Sequence, residues 1–130
     1  APFLASDNIT LYFSSNGHGG YGSNDIFMSR RLDDTWQNWS TPINLGIEVN
    51  SSNFDSDFSI SAKGDYAYLV SNNDSYGKED IVRVQLKDNL RPHPVAFIKG
   101  RVLNKKTNQP VGAEIIYELL QIGRLECTAN

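Results

Sequence analysis

Hydrophobic and polar positions alternate along two stretches of the chain that a polar loop separates. The first stretch covers residues 10–15, and the second covers residues 25–31. The loop between them contains four glycines. Period-two alternation on both sides of a Gly-rich loop predicts a β-hairpin. In its first strand, Leu11 and Phe13 are expected on one face and Tyr12 on the other.

The same order of features returns later in the chain. A second alternating stretch over residues 66–71 precedes another loop and an apolar stretch that begins at Asp80. Asn72 follows Asn16 by 56 residues, and Asp80 follows Asp25 by 55, so the second loop is one residue shorter. A carboxylate at the start of a strand can accept hydrogen bonds from unpaired loop N–H groups. We therefore predict that the recurring Asn and Asp residues are structural.

Further short strands are predicted around these hairpins. Residues 3–6 come before the first hairpin, an irregular Trp- and Pro-containing strand ending at Gly46 follows it, and residues 58–61 begin the second unit. Four short antiparallel strands followed by a restart are typical of a β-propeller blade. The sequence thus predicts an all-β fold with two blades. Because repeat arrays need about three units to bury a continuous core, we expect these blades to be a fragment of a larger propeller.

The pattern changes after the second repeat. Residues 1–90 are predicted to form the blades, and residues 91–95, which contain two prolines, a stiff linker. A separate unit is expected over residues 96–130, with a hairpin made of strands at 97–103 and 114–120. An isolated hairpin is only marginally stable in water. This unit is therefore expected to need strands from outside the chain.

Charge and hydropathy exclude two classes of partner. The formal net charge is −3 and the basic residues are scattered, which argues against nucleic-acid binding. No apolar run approaches the roughly 20 residues that a membrane-spanning helix requires. The single Cys127 cannot form an internal disulfide, so cysteine does not indicate a compartment.

Neither a metal site nor a catalytic site is predicted. His18 and His93 lack further ligands at zinc-site spacing. The acidic clusters at residues 33–34 and 55–57 do not follow a calcium-loop pattern and are better explained as turn residues. There is no Gly-x-Ser-x-Gly segment, and no Ser or Cys is paired in sequence with a His and an acid. We expect no cofactor and no catalytic residue.

Four aromatic or imidazole side chains are candidates for binding. His18 and Tyr21 lie in the Gly-rich loop and Tyr76 in its second copy, and loops on a rigid scaffold often carry binding residues. Together with Trp39, Tyr12, Tyr68 and Phe54, Trp36 could form an aromatic platform for a sugar or a peptide. Two structural alternatives stay open, which are a solvated loop position for His18 and core packing for the aromatic residues.

The motif formed by residues 10–16, the Gly-rich loop and residues 25–27 resembles the TolB-like, WD-like β-propeller repeat of bacterial envelope proteins. The second copy departs from it. Asp74 and Ser75 stand where glycines are usual, and Val82 replaces an aromatic residue. Together the two copies cover about residues 2 to 90.

Residues 98–102, with Thr107, Pro110 and residues 113–115, are similar to the opening of carboxypeptidase-regulatory-like domains, which are transthyretin-like β-sandwiches. A propeller followed by such a sandwich resembles Bacteroidetes OmpA-family proteins, including the periplasmic component of the type IX secretion and gliding machinery. This resemblance implies a non-catalytic periplasmic scaffold at the outer membrane. It also implies envelope partners such as outer-membrane lipoproteins or secretion-system subunits, with peptidoglycan bound through a domain outside this chain.

Two other functions stay open on the sequence. Similar propellers accompany prolyl-oligopeptidase-type peptidases, where they gate or bind the substrate. A glycan-binding propeller that uses the aromatic and Asn-rich loops is the second alternative.

Overall fold

A computed structural model describes residues 1–61, 63–73, 75–119 and 124–129. Within these ranges the regular structure is β-strand, apart from one short 3-10 turn at Asp88–Leu90. The prediction of an all-β chain is confirmed. The chain divides into two compact units, Ala1–Val95 and Ala96–Asn130.

The first unit contains two antiparallel sheets. The first sheet has the strand order β1-β2-β3-β4, with β1 at Phe3–Leu4, β2 at Thr10–Ser15, β3 at Asp25–Arg30 and β4 at Ile43–Asn44. The second sheet has the order β5-β6-β7, with β5 at Asp55–Ile60, β6 at Tyr66–Ser71 and β7 at Asp80–Gln85. Each sheet therefore contains one copy of the repeated hairpin.

The two hairpins pair in the same register. Ser15 lies opposite Asp25 at the loop end of β2 and β3, and Ser71 lies opposite Asp80 at the loop end of β6 and β7. Because the side-chain period of a strand is two residues, an equal register gives equivalent residues equivalent faces. The sequence repeat is thus a structural repeat of the hairpin.

The sheets pack against each other through opposite faces of this repeat. In β2 the fully buried residues are Thr10 and Tyr12, whereas Leu11 and Phe13 are half-buried on the other face. In β6 the buried apolar residues are Ala67 and Leu69, which are the equivalents of Leu11 and Phe13. The two copies therefore stack in the same sense, with one face of the first sheet against the other face of the second.

The core lies between the sheets and includes the chain that leaves β7. The Tyr12 ring stacks on Phe58 of β5 with ring centroids 4.7 Å apart, and its hydroxyl donates a 2.7 Å hydrogen bond to the Leu90 carbonyl. Burial raises the pKa of the Tyr12 hydroxyl. The buried cluster comprises Ala5, Tyr12, Ile26, Met28, Leu45, Val49, Phe58, Ala67, Leu69, Leu86 and Leu90.

The predicted outer strand of the first repeat is much shorter than expected. β4 has two residues, and beyond it one isolated bridge joins Arg31 to Trp39. The residues between form a loop in which Asp33 accepts hydrogen bonds from the backbone N–H and hydroxyl of Thr35. Such Asx bonding competes with strand pairing, which explains why the strand is interrupted.

Residues 91–95 are fastened to the first unit. The His93 N–H donates to Asp7 Oδ2 at 2.8 Å, and the guanidinium of Arg30 donates to the Arg91 carbonyl at 3.1 Å and contacts the His93 ring. These bonds hold residues 91–95, which the sequence predicts to be a linker, against the turn between β1 and β2.

In the second unit, β8 at Ile115–Leu119 pairs with β9 at Arg124–Ala129. The predicted hairpin partner at residues 97–103 was wrong, because those residues form only an isolated bridge from Leu103 to Pro110. The partner of β8 follows it in sequence. Residues 120–123 and 130 of the predicted unit, like Asp74 of the second repeat loop, lie outside the described residues.

Replacing Tyr12 by Phe is expected to reduce the free energy of unfolding by about 1–2 kcal/mol, because the buried Leu90 carbonyl loses its donor. The matched control is Tyr68→Phe, since Tyr68 occupies the equivalent position in the second repeat and is 39% exposed. Its effect should stay within about 0.5 kcal/mol. Urea denaturation of both variants measures the difference, and equal losses would contradict the opposite-face packing.

The Asp7 carboxylate should make stability depend on acid pH. Burial raises its pKa, but hydrogen bonds from the N–H groups of Thr10, Ile9 and His93 and from the Thr10 hydroxyl outweigh burial, so the pKa is lowered overall. A carboxyl with a lowered folded pKa stabilises the protein fully above its unfolded pKa of about 3.9. That stabilisation is lost as pH falls through the folded pKa.

Accordingly, Asp7→Asn should be less stable than the wild type at pH 6, and the difference should shrink as pH falls below about 4. Urea midpoints measured between pH 6 and pH 2.5 provide the test. A difference that stays constant over this range would show that the Asp7 charge is not responsible.

Candidate functional site

Three loops meet at one end of the first unit, which we call the loop end. They comprise residues 16–24, residues 51–54, and residues 72–73 with 75–79. The Ser23 N–H donates to the Asn53 carbonyl at 2.8 Å, which joins the first loop to the second. Three of the four predicted binding residues, His18, Tyr21 and Tyr76, lie in these loops and are exposed.

Asp25 is the buried centre of the first loop, with 1% of its surface exposed. Its Oδ2 accepts hydrogen bonds from the Tyr21 N–H at 2.6 Å and the Asn44 side-chain amide at 2.7 Å. Its Oδ1 accepts the Gly22 N–H at 3.0 Å. One carboxylate therefore binds the loop, the start of β3 and the outer strand β4 together.

The same contact to a backbone N–H four residues earlier occurs at two other strand starts. Asp80 Oδ2 accepts the Tyr76 N–H at 2.7 Å, as Asp25 accepts that of the equivalent Tyr21. Asp55 Oδ2 accepts the Ser51 N–H at 2.6 Å at the start of β5. Three of the strands that leave the loop end thus begin with an Asp that holds the preceding turn.

Sequence reasoning missed Asp55 as a member of this set. The repeat could not reveal it, because its counterpart in the first sheet, β1, is a two-residue strand without an Asp. A usable signal was the Ser at position 51, since the Ser51 hydroxyl also donates to Asp55 Oδ2, at 2.9 Å. The other carboxylate oxygen, Oδ1, is buried and has no hydrogen-bond partner among the described residues.

Two glycines of the first loop are required by close packing. A Cβ on Gly20 would lie 1.7 Å from Asp25 Oδ2, and a Cβ on Gly22 would lie 2.1 Å from the Asn53 carbonyl oxygen. Any side chain at these positions would push the loop away from the carboxylate or from the neighbouring loop. In the second repeat Gly77 stands at the position of Gly22, but nothing lies within 4 Å of a Cβ placed on it, and Ser75 stands at the position of Gly20.

The recurring Asn residues do not share one role. Asn72 Oδ1 accepts the Phe54 N–H at 3.2 Å and so links the second-repeat loop to β5. Asn16 is exposed, and its side chain makes no hydrogen bond within the described part of the chain. The equivalent bonds after β2 and β6 come from serines instead, with Ser15 Oγ accepting the Gly17 N–H and Ser71 Oγ accepting the Asn73 N–H.

His18 lies on the outer face of the first sheet. Its ring centroid is 5.8 Å from that of Phe13 and 5.3 Å from that of Phe27. The imidazole is therefore part of an aromatic cluster with Phe13 and Phe27 on this face of the sheet.

Trp36 lies at the opposite end of the first sheet, in the loop between β3 and β4. The structure thus does not bring it together with the loop-end candidates Tyr21 and Tyr76. The Arg31 guanidinium lies 4.5 Å from the centroid of its ring, and the Trp39 ring centroid is 6.1 Å away. A cation already occupies one face of the indole.

A search of the described residues finds no group of three or more His, Cys, Asp or Glu side chains arranged to hold a metal ion. Within the same residues no helix has the length and apolar character to cross a membrane.

Comparison of the chain with protein-family models, with curated proteins and with solved structures found no match.

Asp25→Asn is expected to reduce the free energy of unfolding by about 2–4 kcal/mol, because three donors lose a charged acceptor and one must face an amide N–H₂. The matched control is Asp80→Asn at the equivalent position, which has one described donor and should cost about 1 kcal/mol. Thermal or urea unfolding compares the two variants. Equal losses would contradict the central role given to Asp25.

Proposed function

We propose that this chain is a non-catalytic protein-interaction scaffold of the bacterial envelope, built from two blades of a TolB-like β-propeller and the start of a regulatory-like sandwich. The observation that carries the proposal is the same-sense stacking of two equivalent hairpins. Repeat architectures are built from units that each contact the next through opposite faces.

Same-sense stacking leaves two unlike faces uncovered in the first unit. The outer face of the first sheet carries Leu11 and Phe13, which are half-buried. The outer face of the second sheet carries Tyr68 and Ile81, which are 39% and 77% exposed. An interface between unlike faces can propagate to further units, which supports membership of a larger propeller.

The state of the recurring carboxylates supports a scaffold in preference to an enzyme. Asp25, Asp55 and Asp80 each accept at least one backbone N–H of the turn before them. These bonds hold the turns in place, as expected for residues that support a binding surface.

The periplasmic location and the envelope partners follow from the sequence resemblance to OmpA-family proteins of the type IX secretion and gliding machinery. Under this proposal the partners are outer-membrane lipoproteins or secretion-system subunits. Peptidoglycan would be bound by a domain outside this chain.

The proposal can be tested by placing a photoreactive amino acid at Tyr76, whose side chain is fully exposed at the loop end, in the native polypeptide. A matched control position is Leu32, which is 66% exposed in the loop after β3. Illumination of intact cells should crosslink Tyr76 to a defined envelope protein, and the Leu32 position should give little of that adduct. Recovery of the polypeptide outside the envelope fraction, or without an envelope adduct at either position, would overturn the proposal.

A further inference from the structure

The outer edges of the two equivalent hairpins are covered differently. In the first sheet, β3 pairs with β4, and the Leu45 N–H donates to the Ile26 carbonyl at 3.1 Å. The Asn50 side chain completes this edge, because its Oδ1 accepts the Ile26 N–H at 2.7 Å and its amide donates to the Ile26 carbonyl at 3.0 Å. In the second sheet, no described strand of the first unit pairs with the outer edge of β7.

Ile81 is the residue of β7 that corresponds to Ile26. It lies opposite Val70, as Ile26 lies opposite Ser14. Because the Ile26 N–H and carbonyl point away from β2, the shared register directs the Ile81 N–H and carbonyl away from β6. These groups lie at the open edge of the second sheet. The Ile81 side chain is also 77% exposed, because it lies on the outer face of that sheet, whereas Ile26 lies on the face between the sheets and is fully buried.

Asp80, the carboxylate next to this edge, accepts fewer hydrogen bonds than its counterpart Asp25. Asp25 accepts three hydrogen bonds, one of which comes from the side chain of Asn44 in β4. Asp80 accepts one within the described residues, from the Tyr76 N–H. Two donors are thus missing at Asp80 in the described part of the chain, a loop N–H equivalent to that of Gly22 and the side-chain amide that the outer strand β4 supplies in the first repeat.

Space for an added strand is present beside β7. A groove of about 490 Å³ runs along the inner face of its edge, bordered by Val82, Val84, Ser71 and the loop of residues 47–52. In the first sheet, the Asn44 side chain lies on the same face as Asp25 and donates its amide N–H to it. Leu45 lies on the opposite face and is buried. The corresponding places in the second sheet are this groove, which is lined by Ser71 opposite Asp80, and the exposed surface of Ile81.

We propose that the edge of β7 is a docking site for an extended segment of another protein, which adds to the second sheet as an outer strand. The segment carries an amide donor, such as Asn, followed by a large apolar residue. Its amide donates to Asp80, its apolar side chain covers Ile81, and its backbone pairs with the outward groups of Ile81. Strand addition of this kind takes its affinity from main-chain bonds and its specificity from alternate side chains.

Charge favours this pattern over an acidic one. The Asp80 carboxylate would repel an Asp or Glu placed where Asn44 stands in the first repeat, whereas an amide N–H is attracted to it. The inference rests on the proposed scaffold function, since it names the surface and the kind of segment through which such a scaffold would bind a partner.

The test uses the 130-residue chain and a labelled peptide with the sequence of residues 41–50, which contains Asn44, Leu45 and Asn50. Fluorescence anisotropy measures its binding. The wild-type chain is expected to bind the peptide saturably, and a peptide carrying Asn44→Asp should bind at least about tenfold more weakly. Absence of wild-type binding, or equal binding of both peptides, would overturn the proposal.

Protein variants locate the site. Ile81→Pro removes the outward N–H, and proline is tolerated at a strand edge, so peptide binding should fall about tenfold or more. The matched control Ile81→Val keeps the N–H and the apolar side chain and should bind like the wild type. Unchanged binding to Ile81→Pro would overturn the proposal. If Ile81→Pro fails to fold, the comparison of the two peptides decides.

Failure of this inference can be told apart from failure of the proposed function. If the Tyr76 crosslink to an envelope protein persists in Ile81→Val and Ile81→Pro alike, the scaffold stands and the β7 edge is not its docking site. If the peptide binds but no envelope adduct forms, the strand site stands and the envelope role fails. Concentration-dependent dimerisation that Ile81→Pro abolishes would assign the edge to a second copy of this chain and contradict the proposal.

Discussion

The conformation of the loop end depends on one repeated interaction, in which a carboxylate at the start of a strand accepts a backbone N–H four residues before it. Asp25 shows the fullest form, because it also accepts a donor from β4 and so joins the loop, the hairpin and the outer strand. A buried charge is tolerated only when hydrogen bonds replace its hydration. Asp25 and Asp55 are both buried, so the loops before them must keep the conformations that present these N–H groups, and this requirement fixes where β3 and β5 begin.

Equal hairpin registers then determine how the sheets meet. Since the register fixes the face of every side chain, Tyr12 and Leu69, which are not equivalent, lie on the faces that meet, and both are buried. The Tyr12 hydroxyl also holds the Leu90 carbonyl, so the segment that leaves the second sheet is tied to the first. A single repeated unit thus produces both the core and its two unlike outer faces.

Much of this arrangement could be predicted from local pattern. The alternation around Tyr12, the Gly-rich loop and the recurring Asp were sufficient to predict the hairpins and their repeat. The extent of β4 could not be predicted, because the Asx bonding of Asp33 competes with strand pairing over a few residues. Nor could the role of Asp55 be read from the repeat. The apolar run that begins at Phe97 was mistaken for a strand because alternation does not show whether a partner strand is available.

The candidate site was less accessible to sequence reasoning than the fold. Each aromatic residue in a predicted loop is a possible binding residue by itself. Whether two such residues lie at the same end of the sheet depends on the strand topology. For this reason Trp36 and Tyr76 were grouped by chemistry and separated by the structure. The difference between the two copies is more informative, since the same hairpin has a covered edge at Ile26 and an open edge at Ile81.

The two copies are equivalent in register, but only the first has an outer edge covered by a described strand. Hydrogen exchange of the Ile26 and Ile81 amides, followed by NMR in the 130-residue chain, measures this difference. The Ile26 amide, bonded to Asn50, is expected to exchange far more slowly than the Ile81 amide at the open edge. Equal protection of the two amides would contradict the account, because it would require a partner for Ile81 within the chain itself.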